Sequence, residues 1–200
     1  MPRNGQPTRD RLLLVAERLM TEQGYGSTSV DQVIAEAHSS KGAFFHHFRS
    51  KTDLATQVVA RYAAADLAHL DAGLAATAHL ADPAERVVAF LRFYEDGADE
   101  LMAEQSGCLY ATVLAERELT GTAINDQVAG AAQAWRDALA GLFRGALPAG
   151  ATIDAEALAD HLYTTFEGGF ILCRTTGDPS AMRAQLRIYR QLVEALLSGR

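Results

Sequence analysis

Residues 28–54, TSVDQVIAEAHSSKGAFFHHFRSKTDL, decide how this chain is read. Two short amphipathic stretches flank a tight polar turn, and the second opens on small and basic residues. Thr28 or Ser29 caps the first stretch, which buries Val30, Val33, Ile34 and Ala37. Ser39 or Ser40 caps the second, from Lys41 to His47, and Ser50 caps a longer helix reaching about Ala76. A helix that enters a DNA major groove needs small residues at its start, so that the backbone nears the base edges. It also needs aromatic residues behind, to hold it on its supporting helices. Ser40, Lys41, Gly42 and Ala43 meet the first need; Phe44 and Phe48, four residues apart, meet the second. The pattern predicts a helix-turn-helix at about 29–48. Helix N-termini attract phosphate, and Lys51, one position past the Ser50 cap, adds a full charge there.

Upstream, a first helix is expected from Thr8 to Gly24, with Leu12, Leu13, Ala16, Leu19 and Met20 as its inward stripe. Downstream, longer helical stretches break at Asp82-Pro83, Gly107, Gly121, Pro148 to Gly150 and Gly177-Asp178-Pro179. The chain is 48% apolar, rich in Ala and Leu, with few prolines and no alternating β-branched runs, which predicts an all-α protein. Two parts are expected: a three-helix head over 6–66 and a helical body over 67–200.

A net charge of −7 speaks against nucleic acid as a partner until the chain is divided. Residues 1–55 carry seven Lys/Arg against six Asp/Glu, a balance of +1, and the remainder carries −8. Both lysines of the chain, Lys41 and Lys51, fall in the quoted segment. This is the asymmetry of a basic working end on an acidic body. No signal peptide or apolar run of membrane-spanning length is present, and two cysteines are too few for a disulfide framework, so a reducing, cytoplasmic setting is expected.

In the body, Leu158, Leu162, Thr165, Gly169 and Leu172 recur at helical spacing, as do Met182, Leu186, Tyr189, Val193 and Leu196. Gly168 and Gly169 lie mid-helix, where glycine costs about 1 kcal/mol relative to alanine, a cost usually offset by close approach of a neighbour. Either these residues pack inside one chain, or the two helices pair with their copies in a second subunit as a homodimer interface. Phe90, Tyr94, Tyr110, Trp135 and Phe166 supply aromatic surface, with Tyr163, for a modest apolar or aromatic ligand, or else simply pack. Cys108, at the opening of a helix after Gly107, is either a small buried filler or a thiol activated by the helix dipole.

The run Ser40 to Leu54, with Arg11-Leu12-Leu13, Gly24-Tyr25 and Thr28-Ser29-Val30 upstream, resembles the signature of the tetracycline-repressor (TetR) family over about residues 8–56. The resemblance implies an all-helical homodimer, a helix-turn-helix head on each subunit that binds a double-stranded DNA operator, and a body that binds a small-molecule inducer. It implies that Ser39, Ser40, Lys41, Gly42, Ala43, Phe45 and His46 lie on DNA. Lys51 and Thr28 are then phosphate clamps, and repression is the commoner mode. The sequence departs from the family pattern twice. His38 stands where glycine is usual, so the turn must hold a left-handed side-chain-bearing residue, and Phe45 lacks the hydroxyl of the usual tyrosine. His46 and His47 are placed to compensate, and would tighten DNA binding at mildly acid pH. Gly107-Cys108-Leu109 followed by Ala115-Glu116 resembles a subset of the family in which the cysteine of some members senses electrophiles or oxidants; Arg174 lies near a position where that subset can carry lysine.

The remaining motifs are weak. Gly24-Tyr25-Gly26 imitates a dinucleotide fingerprint, but Ser29 replaces its third glycine and no strand precedes it. Adjacent His46 and His47 point about 100° apart on a helix and make poor metal co-ligands; His69 and His79 are isolated. No pairing of nucleophile and base supports a small helical enzyme. No cofactor, metal or membrane partner is expected, and a helical interaction module without DNA is the other alternative.

Overall fold

The computed structural model describes residues 6–119 and 121–199, in an all-α fold. The elements are α1 (Gln6–Gln23), α2 (Val30–Glu36), α3 (Lys41–His47), α4 (Lys51–Thr77), α5 (Pro83–Glu104) and α6 (Leu109–Leu114). A 3-10 turn (Arg117–Leu119) follows, then α7 (Ala123–Ala146), α8 (Ala155–Thr176) and α9 (Ser180–Leu197). Each boundary has a local chemical cause. Gly24, at φ +89°, stops α1. The Ser29 hydroxyl accepts from the Gln32 N–H, and the Asp82 carboxylate from those of Ala84 and Glu85, with Pro83 opening α5. Asp154 caps α8, which Gly177 ends at φ +72°.

By their contacts the residues form two compact units, divided between Ala65 and Asp66, between Ser106 and Gly107, and between Gly130 and Ala131. In the unit holding the head, the expected α1 stripe Leu12, Leu13, Ala16, Leu19 and Met20 is buried. It shares that core with Val33, Phe44, Phe48, Leu54 and Val58. Residues 107–130, placed in the body by the sequence reading, group with this unit instead. Hydrophobic burial explains it: α6 packs on α1 and hides Leu109, Tyr110 and Val113, with the Tyr110 ring edge-on to Tyr62 at 4.9 Å.

In the other unit α9 packs on both α5 and α8. That packing uses most of the stripe considered above as a subunit interface. Leu158, Leu162, Gly169, Met182, Leu186, Tyr189 and Val193 are buried by packing within this one chain. Thr165, Leu172 and Leu196 are half-buried. A Cβ on Gly169 would lie 2.6 Å from Met182 Sδ, which is the close approach that offsets a mid-helix glycine. Gly168, by contrast, faces open space. The most exposed large apolar side chains on these helices are Ile171 (67%), Leu192 (61%) and Ile188 (50%).

A buried charge cluster ties α5 to α9. Glu95 accepts from Arg190 Nε at 2.6 Å and from Arg187 Nε at 2.9 Å, and Arg190 also reaches Glu194 at 3.1 Å. Burial pushes the Glu95 carboxyl upward, but the hydrogen bonds from Arg190 and then Arg187 outweigh it and hold the group below its usual range. Its stabilising contribution is therefore complete above the unfolded-state value near 4.5 and fades as pH falls through the lower folded value. Glu95→Ala leaves the buried Arg190 guanidinium with Glu194 as its remaining acidic partner and should lower unfolding stability by about 2 kcal/mol at pH 7. Denaturant melts at pH 7 and pH 3.5 check this, and the gap between wild type and variant should narrow at the acid pH.

Candidate nucleic-acid interface

α2 ends in a Schellman turn. The Ser39 N–H donates to Ile34 O at 3.0 Å and the His38 N–H to Ala35 O at 3.1 Å, with His38 left-handed at φ +48°. The departure from glycine at His38 is thus met as expected, by a residue that visits this region at some cost. Ser40 then caps α3, its hydroxyl accepting from the Ala43 N–H at 3.1 Å. α3 is seven residues long, too short to persist alone, and its orientation is fixed by Phe44 (0% exposed) and Phe48 (1%), whose rings lie 5.4 Å apart.

With those rings inward, Lys41, Gly42, Phe45 and His46 face solvent, Phe45 edge-on to Phe44 at 5.2 Å. Lys41 Nζ is 3.6 Å from an Asp31 carboxylate, an exposed pair that holds it only loosely. Ala43 and His47 are half-buried. Burial, then the neighbouring charges of His46 and Arg9, lower the His47 imidazole below its usual value of 6.5. Any acid tightening through His47 is therefore displaced to lower pH.

Two predicted residues sit differently. Thr28 is 1% exposed and its hydroxyl donates to Gly24 O at 2.8 Å, so the expectation of a phosphate clamp through this side chain is corrected. The chain needs Thr28 to close the turn after α1. The Ser39 hydroxyl oxygen is buried without a hydrogen-bond partner and does not face solvent with Lys41. Lys51 is half-buried: its ammonium lies 4.0 Å over the Tyr25 ring and donates to Gly26 O at 3.3 Å. The start of α4 is set by the Ser50 hydroxyl, which accepts from Asp53 N, while Asp53 reaches back to the Arg49 N–H at 2.8 Å. Tyr25 as the seat of Lys51 was not anticipated; a tyrosine held between two glycines was the available signal.

In the second unit the expected aromatic residues gather around Tyr94. Phe90, Trp135 and Phe166 place ring centroids 5.1, 5.5 and 5.6 Å from it, joined by His69 at 5.1 Å and Phe93 at 5.3 Å. Trp135 Nε1 donates to Asp66 at 3.0 Å. The Tyr94 hydroxyl is buried with no hydrogen-bond partner, and burial, then Asp66 and Asp71, push its pKa upward. Cys108 and Tyr110 belong to the other unit, so the six-residue ligand set is divided between two bodies. Cys108 is 8% exposed, caps α6 without a side-chain hydrogen bond to it, and joins no disulfide. Among the described residues no group of three His, Cys, Asp or Glu is placed to hold a metal, and no helix is long and apolar enough to cross a membrane.

A solvent-facing short helix, pinned by two buried rings behind a tight turn, defines the class: a helix-turn-helix DNA-binding regulator. Two family models match the chain, bacterial regulatory proteins of the tetR family over residues 12–58 and the tetracyclin repressor-like C-terminal domain over residues 83–189. The chain belongs to the TetR family of transcriptional regulators. It is 28% identical over 207 residues to the transcriptional regulator AcuR of Cereibacter sphaeroides, an alignment covering 94% of this chain and 90% of that one. The crystal structure of a regulatory protein TetR from Rhodobacter sphaeroides matches with a TM-score of 0.71 at 25% identity, over 91% of this chain and 96% of that one. SCO4454, a TetR-family regulator from Streptomyces coelicolor, shares the fold with a TM-score of 0.76 at 22% identity, over 97% and 96% of the two chains.

The left-handed turn generates a direct test. His38→Val places a β-branched residue at φ +48° and should cost about 1–3 kcal/mol of unfolding stability. His38→Gly removes the steric penalty and should lose no more than a few tenths of that range, as read by denaturant melts.

Proposed function

We propose that this protein is a homodimeric repressor that leaves a pseudo-palindromic operator when a small molecule binds its body, and that it catalyses no reaction. The observation that carries the reading is the surface α3 presents: Phe44 and Phe48 are fully inward, while Lys41, Gly42, Phe45 and His46 are all exposed. A groove in DNA takes such a helix, with Lys41 at the base edges and Lys51 at a phosphate. Two heads are needed to read half-sites about 34–36 Å apart. Exposed Ile171, Ile188 and Leu192 on α8 and α9 support pairing through those helices. An open groove of about 450 Å³ beside them, lined by His161, Thr165, Gly168, Ile171, Leu172 and Gln185, gives this face relief and supports the same pairing.

The inducer is read as a compact aromatic or apolar molecule with one polar group. The ring cluster supplies apolar wall, and the partnerless Tyr94 hydroxyl supplies a buried handle. Release then requires the ligand to favour the DNA-incompetent arrangement by about 1–3 kcal/mol or more.

Two measurements test these assignments. On a duplex selected by the wild-type protein from a random library, Lys51→Ala should weaken binding to all sequences alike and reduce the salt slope by about one. Lys41→Ala should weaken binding and relax base preference; unaltered titrations for both variants would refute the assignment. Tyr94→Phe removes a buried hydroxyl that lacks a partner, so thermal stability of the ligand-free protein should hold or rise. A loss of about 1 kcal/mol or more on calorimetry would show that the hydroxyl serves the fold.

A further inference from the structure

The Gly24-Tyr25-Gly26 turn, which closes α1 and seats Lys51, is gripped from the opposite direction by an acid far along the chain. Glu116 lies between α6 and the 3-10 turn, and its Oε1 accepts from the Gly26 N–H at 3.0 Å. The same oxygen occupies space that a side chain at Gly24 would need: a Cβ there would sit 2.9 Å from it. A Cβ on Gly26 would meet the other carboxylate oxygen at 3.4 Å. Two glycines thus leave a concave turn that one carboxylate fills. On that turn, Gly26 O accepts from Lys51 Nζ and the Tyr25 ring underlies the same ammonium. The two main-chain groups of Gly26 are therefore held by two side chains of opposite charge, Glu116 on its N–H and Lys51 on its carbonyl.

We infer that Glu116 is a positioning residue for DNA binding: by fixing the Gly24–Gly26 turn, it presents the Lys51 ammonium where a phosphate is met. The inference rests on the reading of Lys51 as a phosphate contact. A flexible lysine would otherwise lose side-chain entropy when it binds a phosphate. A preset turn lowers that loss in advance. The carboxylate itself works against DNA through its charge, so its benefit lies in geometry, and charge and reach can be separated by substitution.

Three variants make the separation. Glu116→Gln keeps an acceptor at the same reach and drops the charge; Glu116→Asp keeps the charge and falls one methylene short of Gly26; Glu116→Ala removes both. Affinity for the selected duplex is measured by fluorescence anisotropy from 0.05 to 0.3 M salt, about 5-fold of affinity at 0.15 M being what one phosphate contact supplies. Positioning predicts that Glu116→Gln binds as wild type or tighter, with an unchanged salt slope. Glu116→Asp and Glu116→Ala should lose about 5-fold in affinity and about one unit of slope. Combined with Lys51→Ala, either loss should vanish, because the lysine it serves is gone. Wild-type affinity in Glu116→Asp, or losses that add to those of Lys51→Ala, would overturn the inference while leaving Lys51 a phosphate contact. A Lys51→Ala protein with unchanged affinity and slope would instead overturn the reading beneath it, and the inference with it. Should Glu116→Ala fail to fold by circular dichroism, the Asp and Gln variants still decide the matter.

Discussion

A helix of seven residues has no stability of its own in water, and everything the DNA-reading end does depends on burying one side of it. Phe44 and Phe48 provide that burial. Fully enclosed, with centroids 5.4 Å apart, they anchor α3 at both ends of one turn. Removing the apolar surface of two such side chains from water is worth about 3–6 kcal/mol, a large share of what ordering a short helix costs. The Ser40 cap and the left-handed His38 turn then only have to choose its direction. Periodicity sets Gly42 and His46 opposite positions 44 and 48 and Phe45 at the flank, while Lys41, three residues before Phe44, is exposed as the first residue of α3.

The same logic explains how an acidic chain carries a DNA-binding site. Net charge governs long-range attraction, but a phosphate is met by local charge within roughly one Debye length, about 8 Å at physiological ionic strength. Several arginines of the head are already engaged with acids or amides: Arg18 with Glu22 and Glu36, Arg61 with Glu17 at 2.6 Å, and Arg9 with Gln57 at 2.7 Å. Lys41 is held only by a solvent-exposed Asp31, and Lys51 by a carbonyl and a ring, neither of which cancels its charge. Both lysines, at the starts of α3 and α4, therefore keep their charge available to a phosphate.

How much of this was legible follows from the range over which each signal acts. Helix ends were legible because glycine, serine and aspartate act within one turn of themselves. Gly24, Ser40, Asp82-Pro83 and Gly177 punctuate the fold where their chemistry predicts. The α3 face was legible for the same reason. Thr28 misled because two adjacent hydroxyls, Thr28 and Ser29, compete for one cap; Ser29 takes it and Thr28 turns inward to Gly24. On α8 and α9, periodicity identified an apolar stripe without saying what it meets. Met182 against Gly169, and Tyr189 donating to Leu158 O at 2.7 Å, show that it meets the chain itself. The packing of residues 107–130 onto α1 is a long-range fact that periodicity does not carry, made by Leu109, Tyr110 and Val113.

Glu116 belongs to that long-range class, and its position has a thermodynamic consequence. A carboxylate at the DNA-reading end lowers affinity by repelling phosphate, so a chain under pressure only to bind tightly would carry a neutral acceptor there. An amide would hold the Gly26 N–H with a weaker bond, since a charged acceptor makes a hydrogen bond roughly twice as strong. The carboxylate's firmer hold on the turn under Lys51 thus offsets part of its own repulsion of phosphate. On the proposed role of Glu116, the residue that sets the turn under Lys51 lies outside the helix-turn-helix, on the segment that α6 anchors to α1.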